Sequence, residues 1–561
     1  MMDWRPSRRG LLLGGWTAAT FAAAAGAAAE EPDPGALDEF IGRYMREMGA
    51  PGLTLALADR KGVVRTASFG FSEIETRTPV TPEHLFQIGS ISKSFTALTV
   101  LRLREEGKID LDAPILEYLP WLPIETNHGT VTVHHLLTHT SGLPNTLCLF
   151  SSDPAARLVQ AFRPGSHFDY CNLGFEILGH LLEKAAGKPW PAVIAERIFA
   201  PLGMASSQAA ITMGVRAKLA TGYRPYDEGS VYLRRGRLAP AGGFVFENAA
   251  GSIVSTPGDM ARYLHMLLNR GAAPHGRIVS EESFALFSKP YILAPEFSST
   301  AHYGYGIAVD RLDGHTVLRH TGGMVSFMSA MHVDLDGGVA AFASINAQQG
   351  YRPNPVTEYA VRRMRAEREN KPAPAPPAIA SQFVIENAAG YAGVYESPEG
   401  ERVEVSAQED GLAVTMGGKV FRLASSSSGL VADAAAFQEF PFVFGRAGEG
   451  KGSDIVELGY GSRWYANGKY KGNRQFALPA EYAPFEGAYR AESAWAGSAR
   501  VVGRKGKLWL DGSVPLEPLG DSLFRVGAAP SAETAQFLYL ANGRTRMLKL
   551  SGMDLWRIET A

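Results

Sequence analysis

Ser90 and Lys93 stand three residues apart in the stretch Gln87-Ile-Gly-Ser-Ile-Ser-Lys-Ser-Phe-Thr-Ala97. On a helix, side chains at i and i+3 are neighbours, so a lysine amine placed this way can take or share the proton of a serine hydroxyl and make it a nucleophile. A helix N-terminus would also favour the negative charge that develops when such an oxygen attacks a carbonyl. A Ser-x-x-Lys pattern arises about once by chance in a chain of this length, so its meaning depends on what else the chain supplies.

Two other clusters carry polar groups of the right kind. Tyr170 and Asn172 lie two apart in Arg163-Pro-Gly-Ser-His-Phe-Asp-Tyr-Cys-Asn172, and in an extended or turn segment both would face the same way. A tyrosine packed in a core and an asparagine capping the next helix would give the same letters. His320-Thr-Gly-Gly323 closes a strand-like run that begins at Thr316. A turn is the plain alternative there, although glycine in a strand also marks places where a ligand or another backbone comes close.

The elements that must position these groups can be read from periodicity. Leu37, Phe40, Ile41, Tyr44, Met45 and Met48 recur at helical spacing and predict a helix closed by Gly49 and Pro51. Gly52 to Asp59 and Val63 to Phe71 read as two strands joined by a turn, and together these elements predict an α/β layer fold with the serine at the sheet edge. Phe95, Leu98, Thr99, Leu101 and Leu103 predict a buried helix behind Ser90. Thr132 to Leu137 predicts a helical turn before the loop His139-Thr-Ser-Gly-Leu-Pro144, and Leu173 to Ala186 a further helix. Ala249 to Thr256 leads into a helix around Met260 to Leu267. Tyr303 to Val309, Thr316 to His320, Ala330 to Val333 and Val339 to Ile345 read as strands of the sheet.

The 561 residues exceed one ordinary core, and 45% hydrophobic with 20% charged residues is a globular composition, so two or three domains are expected. A net charge of -2, with no basic run interleaved with aromatics, argues against nucleic acid as a partner. The two cysteines, Cys148 and Cys171, cannot build a disulfide framework or a metal cluster, and are expected as packing thiols rather than a bridge. At the N-terminus, Ser7-Arg8-Arg9-Gly10-Leu11-Leu12 precedes an uncharged run ending Ala27-Ala28-Ala29, which looks like a twin-arginine export signal over residues 1–29. A periplasmic or secreted location follows, with membrane association only through an uncleaved signal. The alternative is a retained anchor, disfavoured because the run is mostly Ala and Gly.

Residues 30–370 are expected as one domain, and Lys371-Pro-Ala-Pro-Ala-Pro-Pro377 opens a linker running to 381. Beyond it short alternating strands prevail. Tyr391-Ala-Gly-Val-Tyr395 is echoed by Phe485-Glu-Gly-Ala-Tyr489, Asp410-Gly-Leu-Ala-Val414 by Lys505-Gly-Lys-Leu-Trp509, and Phe421-Arg-Leu423 falls near Leu516-Glu-Pro-Leu519. The similar displacement predicts a duplicated β module, 382–480 and 481–561, each a small barrel or sandwich.

Taken together, Ser90-x-x-Lys93, Tyr170-x-Asn172 and His320-Thr321-Gly322 resemble, in order and rough spacing, the three boxes of the serine β-lactamase and penicillin-binding-protein superfamily. Gln87-Ile-Gly-Ser-Ile-Ser-Lys, Leu136-Leu-Thr-His-Thr-Ser-Gly-Leu-Pro144, Leu173-Gly-Phe-Glu-Ile-Leu-Gly179 and Pro201-Leu-Gly-Met204 resemble its class C branch, over roughly residues 35 to 365. That branch includes D-aminopeptidases, D-alanyl-D-alanine carboxypeptidases and esterases. The resemblance implies an α/β (α+β) three-layer domain with an antiparallel sheet, followed here by two antiparallel β-barrel modules. It implies an acyl-enzyme on Ser90, with Lys93 and Tyr170 sharing the proton work, and neither metal nor organic cofactor. By the same analogy the backbone N–H groups of Ser90 and Gly323 form the oxyanion hole, Asn172 orients Lys93 and the substrate, and Thr321 and Gly322 border the substrate.

The third box has histidine where class C β-lactamases carry lysine, a cation that helps to hold the substrate carboxylate; this points toward a D-aminopeptidase acting on a small peptide, amide or ester. A carboxypeptidase, esterase or β-lactamase is the alternative within the superfamily, and a catalytically silent envelope binding protein the alternative outside enzymes. A phenolate at Tyr170 would need adjacent cations, with Lys93 and His320 the candidates, so the base is open between Tyr170 and Lys93. The D-aminopeptidase resemblance also implies that a loop from one barrel shapes the pocket, without indicating which. Oligomeric state is open, a homodimer included.

Overall fold

The computed structural model describes residues 35–145, 157–226, 233–348, 350–426, 429–448, 453–492 and 497–558; the twin-arginine-like stretch and Cys148 lie outside the described residues. Helix α1 (Gly35–Met48) turns all six of its periodic apolar residues inward, and Gly49 at φ 70° ends it. Strands β1 (Gly52–Asp59) and β2 (Gly62–Glu73) form a hairpin whose turn is held by the Asp59 carboxylate, which accepts from the backbone N–H of Lys61 at 2.7 Å and of Gly62 at 3.1 Å. After β3 (Thr78–Pro79) the chain leaves the sheet for a long helical insertion. It returns as β4 (Ile292–Leu293), β5 (His302–Tyr303), β6 (Ala308–Leu312), β7 (His315–Gly323), β8 (Met328–Asp334) and β9 (Val339–Ile345). The nine strands form one antiparallel sheet in the order β4-β5-β6-β7-β8-β9-β1-β2-β3.

Two expectations need correction. The run Tyr303 to Val309 is two strands, broken over residues 304–307, because Gly306 at φ 67° presses against the next layer, where a Cβ would stand 2.5 Å from the Lys93 carbonyl oxygen. Ser90 is not at the sheet edge either. It lies in a 3-10 turn, Gly89–Ile91, packed against β7, the fourth of nine strands.

Alternation along the central strands sorts residues between two cores. Leu53, Leu55 and Leu57 of β1 join Val339, Ala341, Ala343 and Ile345 of β9 beneath α1 and a C-terminal helix, α6 (Asn354–Arg368). Ala56, Ala58, Ala340 and Phe342 point the other way, into the core shared with α2 (Ser92–Glu105), α4 (Asn172–Ala186) and α5 (Pro257–Leu268). A short helix α3 (Val133–Leu137) precedes α4. Helix α2 is buried on nearly every side, so its polar groups must be satisfied internally. Ser94 and Thr99 donate to Ile91 O and Phe95 O, and Thr96 donates to Ala249 O. Phe95 stacks on Tyr263 with centroids 3.7 Å apart, and the Tyr263 hydroxyl donates to Ser94 Oγ at 2.7 Å. Burying a side chain such as Phe95 contributes roughly 1.5–3 kcal/mol, so this helix is a stiff mount for what precedes it.

Past the linker the chain closes two eight-stranded antiparallel barrels, the first from Gly393–Glu396 to Arg463–Ala466, the second from Gly487–Arg490 to Met553–Ile558. Closure leaves no sheet edge unpaired, which decides between barrel and sandwich. The echoed sequences do equivalent work. Tyr395 donates its hydroxyl to Tyr391 O at 2.8 Å and Tyr489 to Phe485 O at 2.7 Å, each bracing the entry to the first strand. The barrels meet through the Arg504-Lys505 corner: Lys505 Nζ lies within 5.7 Å of the Trp464, Tyr470 and Phe476 ring centroids and pairs with Glu457 at 2.6 Å.

Candidate active site

Ser90 and Lys93 are brought together by the 3-10 turn running into α2: Lys93 Nζ lies 3.2 Å from Ser90 Oγ. The same nitrogen donates to Asn172 Oδ1 at 2.7 Å and to Ala250 O at 3.0 Å. Burial of the amine, its exposed area being 0%, pushes its pKa down to about 7, with Cys171 opposing the shift. A neutral amine has two N–H donors and one lone pair. Asn172 Oδ1 and Ala250 O take the donors, which directs the lone pair at Ser90 Oγ.

Tyr170 also reaches Ser90 through a side-chain hydrogen bond, and its ring stands 4.9 Å from Lys93 Nζ. Burial drives its phenol well above 10, and the Ser90 hydrogen bond and the Arg352 charge offset this only in part, so Tyr170 is a protonated phenol. His139, from the His-Thr-Ser-Gly loop, adopts φ 57°, accepts the Cys171 N–H at Nδ1 (3.1 Å) and packs its ring 4.3 Å from that of Tyr170. Cys171, buried and free, is the N-cap of α4, its Sγ accepting from Gly174 N at 3.3 Å; Asn172 is the first residue of that helix rather than its cap. Asn172 is oriented by Asn145, whose Oδ1 accepts both its backbone N–H (2.9 Å) and its side-chain NH2 (2.8 Å).

Strand β7 supplies the opposite wall. Gly89, at φ 55°, permits the approach: a Cβ there would stand 2.7 Å from Gly323 N. Thr321 and Gly323 line the cavity, which measures about 430 Å³ and also takes in Ser90, Tyr170 and Asn172. Gly322 does not line it; it faces the turn, where a Cβ would collide with Ile88 O at 1.9 Å and Ser329 Oγ at 2.3 Å. Its expected place beside the substrate is therefore corrected to a packing role.

His320 reaches the cavity but does not act as its cation. Its Nδ1–H donates to Thr321 O at 2.7 Å, which fixes Nε2 as the acceptor of the Tyr303 hydroxyl at 2.9 Å. Burial, reinforced by the Lys93 charge, pushes its pKa down to about 3. The expectation of a positive His320 that lowers Tyr170 fails because the ring is buried among Tyr303, Tyr170 and Phe297. A guanidinium is present instead: Arg352 lies over Gly323, about 3.3 Å from where a Cβ would stand. Glu296, beside Phe297, puts a carboxyl on the rim, its pKa raised by burial and then by the nearby Asp169.

Sequence reasoning missed Asn145, Ala250, Glu296, Tyr303 and Arg352. Asn145 directly follows the quoted loop ending at Pro144 and was within reach of the motif. Ala250 acts through its backbone carbonyl, which no side-chain pattern reveals. Glu296 and Arg352 have no motif spacing at all.

Comparison with known proteins places the fold in a family. Residues 37–365 match the sequence pattern of the Beta-lactamase family. Among curated relatives, penicillin-binding protein 4 of Amycolatopsis lactamdurans is 29% identical over 319 residues, 53% of this chain and 80% of that one. Esterase EstB of Burkholderia gladioli is 32% identical over 194 residues, 30% of this chain and 49% of its own. A D-aminopeptidase of Brucella ovis is 30% identical over 188 residues, 31% and 35% of the two chains. The matches thus span about half of the esterase and a third of the aminopeptidase. The octameric penicillin-binding protein homologue from Pyrococcus abyssi shares the fold over 93% of this chain and 99% of its own, with a TM-score of 0.53 at 23% identity. With the matched region exceeding half of its length, this chain belongs to the Beta-lactamase family and its superfamily of serine hydrolases.

Proposed function

We propose that the protein is an exported D-aminopeptidase, releasing an N-terminal D-residue from small peptides, amides or esters through an acyl-enzyme on Ser90. The observation that carries the hydrolase reading is the saturated coordination of Lys93, two fixed acceptors and one serine hydroxyl around a buried amine. In that arrangement the Ser90 O–H proton passes to the Lys93 lone pair as Oγ bonds to the substrate carbonyl carbon. The carbonyl electron pair moves to oxygen, facing the Ser90 and Gly323 N–H groups. Losing one such donor costs about 2.7–4 kcal/mol in a serine hydrolase. Collapse breaks the bond to the leaving group, whose nitrogen or oxygen takes a proton from Tyr170, replenished from Lys93. Water then attacks the acyl carbon by the same route and frees Ser90.

The D-aminopeptidase reading is supported by Glu296 on the cavity wall, which offers a carboxylate to a substrate ammonium, and by His320, which is neutral where a β-lactamase would present a cation; Arg352, a guanidinium, would suit the carboxypeptidase alternative. The partial match to the Brucella aminopeptidase points the same way. The test has two parts. A fluorophosphonate should label the wild type and not Ser90→Ala; equal labelling removes the serine-hydrolase mechanism. D-Alanine p-nitroanilide should be hydrolysed well ahead of its L-form, whereas preference for short-chain esters or a cephalosporin moves the assignment to esterase or β-lactamase. N-terminal sequencing of the mature protein checks export, with cleavage after Ala29 expected.

A further inference from the structure

We propose that Glu533, in the connection between the fifth and sixth strands of the second barrel, is a positioning residue for the Ser90–Lys93 pair, acting through Asn145 and Asn172. The proposal rests on the serine-hydrolase reading above. Residues 527–533 join Leu523–Val526 to Thr534–Ala541 and reach the catalytic domain beside the cavity. The Glu533 carboxylate accepts the backbone N–H of Asn145 with one oxygen and the hydroxyl of Ser551, itself buried, with the other. The backbone of neighbouring Ala532 donates to Asp169, next to Tyr170 in sequence.

The consequence lies in the donor count. The Asn172 amide can present either oxygen or NH2 to Lys93, and only the oxygen accepts a hydrogen bond. Asn145 Oδ1 settles the choice by taking the NH2 at 2.8 Å, so that Oδ1 of Asn172 receives Lys93 Nζ at 2.7 Å. Asn145 in turn is fixed at its backbone by Glu533. One path of hydrogen bonds therefore runs from the second barrel to the nucleophile: Glu533, Asn145, Asn172, Lys93, Ser90. Without the Glu533 anchor, Asn145 loses a charge-assisted bond, Asn172 is free to turn its NH2 toward Lys93, and the lone pair no longer has a unique direction.

The experiment uses the full-length protein, with p-nitrophenyl acetate turnover and the rate of fluorophosphonate labelling as readouts. Glu533→Ala should lower kcat and the labelling rate about tenfold, with KM within about twofold of wild type. Glu533→Gln, which keeps an acceptor oxygen, should restore both to within about twofold. In the Asn145→Ala background, adding Glu533→Ala should cost less than about a further twofold, because the path is already cut. Wild-type rates in Glu533→Ala, failure of Glu533→Gln to restore them, or a full tenfold loss in the Asn145→Ala background would each overturn the proposal. If Glu533→Ala does not fold, Ser551→Ala, which frees one carboxylate oxygen, should slow labelling by about threefold, and no change would count against the proposal. A wild type that neither labels nor turns over the ester overturns the hydrolase reading and this inference with it.

Discussion

The two barrels use the same connection, between their fifth and sixth strands, in different ways. In the first barrel residues 433–441 fold onto the second: Phe440 packs against Gly461 of its own barrel and Gly512 of the second, where a Cβ would stand 2.9 Å from its ring in either case, and Glu439 pairs with Arg500 at 3.1 Å. In the second barrel residues 527–533 place Glu533 on Asn145 of the catalytic domain. Each loop thus docks on another body, and among the described residues the second meets one tied to the nucleophile, Asn145. The difference lies in loop chemistry. The first loop carries an aromatic ring, Phe440, to the joint, whereas Ala528 to Glu533 offers backbone and a carboxylate.

That contrast can be tested by separating activity from stability, from the largest effect to the smallest. Lys93→Ala, the reference for complete loss of the endpoint, should reduce kcat/KM about 10³-fold. In wild type, kcat/KM should rise with pH through about 7 as Lys93 loses its proton, and the variant should lack that limb. The folded pKa lies below the ordinary 10.5, so the unfolded chain binds more protons between the two values; wild-type stability from this group rises with pH there, and the rise should vanish in Lys93→Ala. Urea unfolding at pH 7 and pH 10 checks the sign.

Phe440→Ala should cost about 3 kcal/mol of stability in denaturant unfolding, with kcat/KM unchanged. A parallel fall in kcat would erase the distinction between the loops. Glu296→Gln should raise KM for D-alaninamide about tenfold and leave p-nitrophenyl acetate turnover alone, since a carboxylate facing an ammonium is worth about 1.4 kcal/mol or more. Equal effects on both substrates would show Glu296 to be structural. Glu439→Gln, the counterpart of Glu533 in the first barrel, removes an ion pair whose glutamate side chain is 55% exposed, and should change stability by less than about 0.5 kcal/mol and activity not at all.

Much of the scaffold was legible because burial imposes periodicity. The 3.6-residue pattern of Leu37 to Met48, the two-residue pattern of β1 and β9, and the repeated Tyr391/Phe485 segments each report a face that must be covered. The Tyr303 to Val309 run misled because apolar and glycine residues there serve a tight turn over Lys93 rather than a strand. Ser90, Lys93, Tyr170 and Asn172 were legible as residue types, and the fold gathers all four around one cavity. His320 was read as a cation because charge was assigned from its type; burial, reinforced by the Lys93 charge, keeps it neutral.

The sequence by itself determined the nucleophile segment, the buried faces of the first helix and the central strands, and the duplication of the β module, since local spacing and hydrophobic alternation encode which side chains share a face. Tertiary structure alone decided which nitrogen carries a proton, which carbonyl holds Lys93, and which barrel loop reaches Asn145. Those outcomes depend on burial and on partners drawn from positions 79, 157 and 388 residues apart, and no local pattern records them.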